Sequence, residues 1–186
     1  MLLLSLACGH PAPAASGRPN LVSARLSLDI LERRVRTRDD LRAHFVVTNT
    51  GTGPLWLNGR MLLGASGSPS PFQEVWVEAK GPGPIGWWCF FKTPAVEPKH
   101  YRLLRPGDSA GRKPTGPSED LRCLGLDAPG TYTLIAHYKD GNDAENVPPA
   151  PSGTVYLGWE LVSEPVMVEI TEGSAHRAAP ETNAPR

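Results

Sequence analysis

The chain of 186 residues is short of everything that marks a membrane span, a nucleic-acid binder or a familiar hydrolase. No apolar stretch approaches the roughly 20 residues that a spanning helix needs, so a helical passage through a bilayer is excluded. Charge of one sign is missing too. The 19 Lys and Arg balance 19 Asp and Glu, no basic cluster is interleaved with aromatics, and nucleic acid is excluded as a partner. The five histidines (His10, His44, His100, His137 and His176) are scattered, without an H-E-x-x-H pair, and the cysteines lack zinc-type spacing, so neither metal nor cofactor is expected. The nucleophile elbow G-x-S-x-G is absent, because Gly64-Ala65-Ser66-Gly67-Ser68 ends in serine and reads as a flexible loop. The loop Asp140-Gly141-Asn142-Asp143-Ala144-Glu145 has oxygen ligands but places Ala144 where an EF-hand needs one, so it reads as a solvated turn. No catalytic constellation remains, and the chain is expected not to be an enzyme.

What is present points to β structure. Pro (20) and Gly (19) recur without a period, which excludes collagen and favours one loop-rich β domain at this length. Leu26, Leu28 and Ile30 alternate with polar residues, as do Leu41, Ala43, Phe45 and Val47, and this period of two predicts strands with one face in a core. Thr48-Asn49-Thr50-Gly51 predicts a turn into Leu55–Leu57, hence a hairpin. Further strands are expected at Phe72–Lys80, His100–Leu104, Thr131–Tyr138 and Pro165–Ile170, whereas Gly111–Ser118 reads as a surface loop. The pattern predicts an antiparallel β-sandwich of seven to eight strands over residues 24–171, preceded by a signal remnant and tether at 1–23 and followed by a disordered tail at 172–186. On these strands His44 and His137 point away from the core and read as solvated.

Three resemblances refine this reading. Leu2 to Ala7 form a short apolar run ending at Cys8, followed by a Pro/Ala/Ser stretch, and this resembles a bacterial lipoprotein signal. That resemblance implies lipidation of Cys8 and an exported, envelope-anchored or secreted protein. Asp127-Ala128-Pro129-Gly130-Thr131-Tyr132 resembles the tyrosine corner of immunoglobulin-like domains, which implies that the Tyr132 phenol bonds back to upstream backbone. With Ser163-Glu164-Pro165-Val166, this makes the chain resemble bacterial immunoglobulin-like envelope domains. Phe45-Val46-Val47-Thr48-Asn49-Thr50-Gly51 and Leu104-Arg105-Pro106-Gly107 are also similar to the bacterial intracellular proteinase inhibitor family, another β-sandwich.

Two features carry the functional expectation. Cys89 and Cys123 form either a disulfide or two separate buried thiols. Trp87 and Trp88 are adjacent, so on a strand they face opposite sides, and they are candidates for a platform that holds a sugar ring or a partner's side chain. The expected function is a non-enzymatic envelope module that binds protein or glycan; the alternative is a proteinase inhibitor acting through loops such as Gly64–Pro71 or Gly111–Ser118.

Overall fold

The computed structural model describes residues 22–64, 73–83, 85, 95–111, 119–142 and 146–173. The first strands are β1 (Ala24–Ile30), β2 (Arg34–Val35), β3 (Arg42–Asn49), β4 (Leu55–Asn58), β5 (Val75–Lys80) and β6 (Tyr101–Leu104). They are followed by β7 (Ser109–Gly111), β8 (Glu119–Asp120), β9 (Gly130–Tyr138), β10 (Val155–Tyr156), β11 (Leu161–Val162) and β12 (Val166–Ile170). The architecture is all-β, with short 3-10 turns such as Arg38–Asp40 and Pro98–His100.

Two sheets make the sandwich. In the first, β3 pairs antiparallel with β1, β7 and β8. In the second, β9 is central: Thr133 pairs with Lys80 of β5 on one side and with Met167 of β12 on the other. After Ile30 the chain changes sheets, and β2 runs parallel to β12 with Val35 opposite Ile170. The edge formed by β11 and β12 is interrupted at Ser163, whose hydroxyl accepts from the Ala136 amide at 2.9 Å and donates to the Glu164 carbonyl at 3.0 Å. A side-chain oxygen thus replaces a ladder carbonyl, and the strand resumes after Pro165, which has no amide hydrogen to offer.

The core follows the period of two. Leu26, Leu28, Ala43, Phe45 and Val47 of the first sheet join Val75, Val77, Leu134, Ala136 and Val168 of the second in one buried cluster. On β9, Tyr132, Leu134, Ala136 and Tyr138 are all 0% exposed. Burying a side chain the size of Leu134 stabilises by about 1.5–3 kcal/mol relative to leaving it in water, so the alternation on β9 largely fixes its register.

Beyond the sandwich, β4 pairs antiparallel with β6 and parallel with β10 to form a third, small sheet. The expected hairpin between β3 and β4 is therefore not formed. Asn49 accounts for this: its amide nitrogen donates to the Gly53 and Leu104 carbonyls, both at 2.9 Å, and its oxygen accepts from the Gly51 amide at 3.0 Å. The turn is locked against β6 rather than folded back on β3. Seven to eight strands were expected, and twelve are present among the described residues. The additional pairings, including β2, β8, β10 and β11, are two residues long. Runs that short show no periodicity.

Both strand histidines differ from the solvated reading. His44 is 1% exposed although it lies on the side of β3 away from the core, on the same face as the buried Val46. His137 stacks on its cross-strand neighbour Trp76, with ring centroids 4.9 Å apart and planes 11° from parallel. The outer faces of both sheets are thus partly covered, and alternation alone cannot distinguish a covered outer face from a wet one. Residue Glu172 still belongs to the folded part: its amide donates to the Arg36 carbonyl at 2.9 Å, extending the parallel pairing of β2 past β12.

Candidate functional site

The small third sheet carries aromatic side chains on its face away from the core. Trp56, Asn58, Tyr101, Leu103 and Tyr156 share this face, because they are cross-strand partners or diagonal neighbours in register. Trp56 and Tyr101 stack with centroids 6.0 Å apart. The segment after β9 crosses this face as a strap, held by a hydrogen bond from Trp56 Nε1 to the Pro148 carbonyl at 3.1 Å. Between the strap and the Ala95–Pro98 segment lies a cleft of about 380 Å³, lined by Ala95, Val96, Glu97, Tyr101, Asn142 and Asn146, with Pro98 and Pro148 at its walls. That volume falls within the range of small-ligand sites, roughly 300–1,000 Å³.

The cleft is held from beneath by buried polar groups. Tyr101 Oη donates to Asp140 Oδ2 at 2.8 Å, and Asp140 Oδ1 accepts from the backbone and side-chain nitrogens of Asn142 at 3.1 and 2.6 Å. Asp140 is 3% exposed, so this first residue of the expected solvated turn departs from that expectation, its carboxylate folding inward onto Tyr101; residues 143–145 of the turn lie outside the described residues. Below it, Tyr138 Oη donates to the Asn58 carbonyl at 2.9 Å. The Asn58 amide in turn donates to Glu74 Oε1 at 3.0 Å. Glu74 and Arg60 form a buried ion pair. Burial pushes the Tyr101 and Tyr156 phenols well above the ordinary tyrosine range, and the Asp140 carboxylate adds to both shifts. The phenols therefore remain protonated donors. On the rim, the hydrogen bond from Lys99 lowers the Glu97 pKa, so that carboxyl stays charged.

The residues singled out from sequence fall into two groups. Cys8, Trp87, Trp88 and Cys89 lie outside the described residues, as do 65–72 and 112–118, which make up most of the proposed inhibitory loops. Cys123 is buried and disulfide-bonded. The Tyr132 phenol donates to the Ala128 carbonyl at 2.8 Å. His44 and His137 stand in different sheets and do not meet. Among the described residues, no three His, Cys, Asp or Glu side chains gather as a metal site.

The cleft itself escaped the sequence reading. Its walls come from segments around 56, 95–101 and 140–148, and no local motif joins them. The available signal was Asp140-Gly141-Asn142, in which an aspartate can bind the backbone two residues on. No protein-family model matches this chain, and no curated protein matches it.

Proposed function

We propose that this protein is a non-enzymatic binding module of the bacterial cell envelope, built on an immunoglobulin-like sandwich and using the cleft over Tyr101 as its ligand site. The observation that carries this is the cleft: a concave surface of about 380 Å³ in which Tyr101 and Asn142 are held by hydrogen bonds to the buried Asp140. Two features support the fold assignment. They are the Tyr132 hydrogen bond to Ala128 and the change of sheet that sets β2 parallel to β12. Export with a lipid on Cys8 completes the reading, since the Pro/Ala/Ser stretch after Cys8 suits a tether.

Amide hydrogen exchange on the full chain, with and without an isolated envelope polysaccharide and peptidoglycan extract, tests the site. Slowed exchange confined to residues 95–101 and 142–148 is expected. Unchanged exchange there, or protection elsewhere only, overturns the assignment of the cleft.

A further inference from the structure

We infer that this protein pairs with a second copy of itself through the outer edge of β1, the two strands running antiparallel about a two-fold axis at Ser27. Among the described residues β1 pairs with β3 alone, although it is seven residues long and ends its sheet. The ladder sets the direction of each backbone group. The Leu31 amide donates to the Arg42 carbonyl at 3.1 Å, and the Ser23 carbonyl accepts from the Thr50 and Gly51 amides at 3.0 Å, so the odd-numbered residues of β1 turn their backbone groups toward β3. Those of Ala24, Leu26, Leu28 and Ile30 point the other way and meet no hydrogen-bond partner among the described residues. Such an edge is a template for another strand unless it is guarded. The second sheet guards its own, since β2 covers the end of β12 and Pro165 has no N–H to offer there. The run from Ala24 to Ile30 contains no proline, glycine or lysine, and its register with β3 has no bulge.

The side chains on the solvent face of β1 choose the occupant. Arg25 and Asp29 are exposed, with the partly exposed Ser27 midway between them, and neither charge forms an ion pair among the described residues. When Ser27 stands opposite Ser27 of the second copy, Arg25 of each chain stands opposite Asp29 of the other, at the positions where side chains of antiparallel strands approach closest. The same register sets Ala24 against Ile30 and Leu26 against Leu28, and each of these pairs exchanges two backbone hydrogen bonds. The neighbouring registers place Arg25 opposite Ser27 or Leu31 and lose both charge pairs. A foreign strand fits the backbone equally well, whereas opposite charges at equal distances from Ser27 are what a two-fold axis requires. Leu26 and Leu28 keep their side chains in the core, so the pairing joins the two first sheets without disturbing either sandwich.

Sedimentation equilibrium of the full chain between about 1 μM and about 1 mM is expected to show a reversible dimer. Amide exchange at Leu26, Leu28 and Ile30 should slow as the dimer forms, while the Ser27 and Asp29 amides, already directed at β3, should not change. Arg25→Asp and Asp29→Arg each set like charges opposite one another and are expected to weaken the dimer about tenfold, with the melting temperature of the monomer unchanged. Combining the two exchanges restores opposed pairs and should restore the affinity. A chain that stays monomeric up to about 1 mM overturns the inference. So does a dimer that both single replacements leave intact, or one that forms without protection at Leu26 and Leu28, because the contact then lies elsewhere. Failure of the combined exchange to recover the dimer overturns the register. Protection of these amides only when the envelope extract is added, with the chain still monomeric, gives the edge to a foreign strand and overturns self-pairing. None of these results bears on the cleft, so the two proposals fail separately.

Discussion

Tyr101 at the start of β6 and Asp140 just after β9 share a 2.8 Å hydrogen bond with almost no exposure to water. The phenol donates and the carboxylate accepts, so the strap that begins at Asp140 is fastened to β6. Tyr101→Phe keeps the aromatic stack on Trp56 and removes one donor from a buried carboxylate. A loss of about 1–3 kcal/mol in unfolding free energy is expected from urea titration, because the deserted oxygen keeps its desolvation cost. A change below a few tenths of a kcal/mol means that water replaces the phenol.

All four tyrosines of the chain, Tyr101, Tyr132, Tyr138 and Tyr156, have pKa values raised by burial as the leading cause. In the unfolded chain they titrate near the ordinary value of about 10. Below that value both states are fully protonated, and the stability is present in full. Above it the unfolded state loses protons that the folded state keeps, so stability falls as pH rises toward the folded values. Urea midpoints measured from about pH 8 to 11 should be level at first and then decline. The folded chain should show little phenolate absorbance at pH about 10; half-ionised phenols in the folded state at that pH contradict the assignment.

Close packing behind Tyr132 gives a third expectation. A Cβ added to Gly81 would lie 2.1 Å from the Tyr132 ring, and Tyr132 is itself 0% exposed. Gly81→Ala forces the ring from its place and should cost about 1–3 kcal/mol as an overpacking change. Tyr132→Phe loses only the bond to Ala128 and should cost about 0.5–1.5 kcal/mol. The order of the two losses in thermal or urea unfolding is the test. If Tyr132→Phe is the more damaging, the phenol contact outweighs the packing.

The sandwich was legible wherever alternation ran for several residues, as on β1, β3 and β9, because burying one face leaves a period of two. The Tyr132 hydrogen bond to the Ala128 carbonyl lies at the turn Ala128-Pro129-Gly130 that the sequence displays. The strands β4 and β6 were expected at Leu55–Leu57 and His100–Leu104, but their pairing in a separate sheet and the cleft were not legible. The strand β10 is two residues long, and the Asn49 turn that sends the chain to β4 has the same composition as a hairpin turn. Trp56 and Tyr101 stack only because β4 and β6 pair across more than forty residues of chain, a relation that no local window contains.

The most demanding prediction concerns Arg60 and Glu74, whose side chains are 6% and 1% exposed. Glu74 accepts from Arg60 Nε at 3.1 and 3.2 Å, from the Asn58 amide at 3.0 Å and from the Leu62 amide at 3.0 Å. The two charges therefore hold the segment just after β4, residues 58–62, where Met61 has a positive φ of 50°. Positive φ disfavours any residue with a Cβ, so this segment depends on its hydrogen bonds. Removing one partner leaves the other charge buried, and Glu74→Ala or Arg60→Ala should each cost about 3–5 kcal/mol. The double replacement Arg60→Met with Glu74→Leu removes both charges and restores apolar volume, and should cost clearly less than the sum of the single losses. Unfolding free energies of the wild type, Arg60→Met, Glu74→Leu and the double replacement form a double-mutant cycle. Coupling near zero would mean that the pair is screened by water and that the segment is held by its backbone alone. A large coupling, together with lost amide protection at Leu62 in Glu74→Ala, would assign the geometry of the segment to this carboxylate.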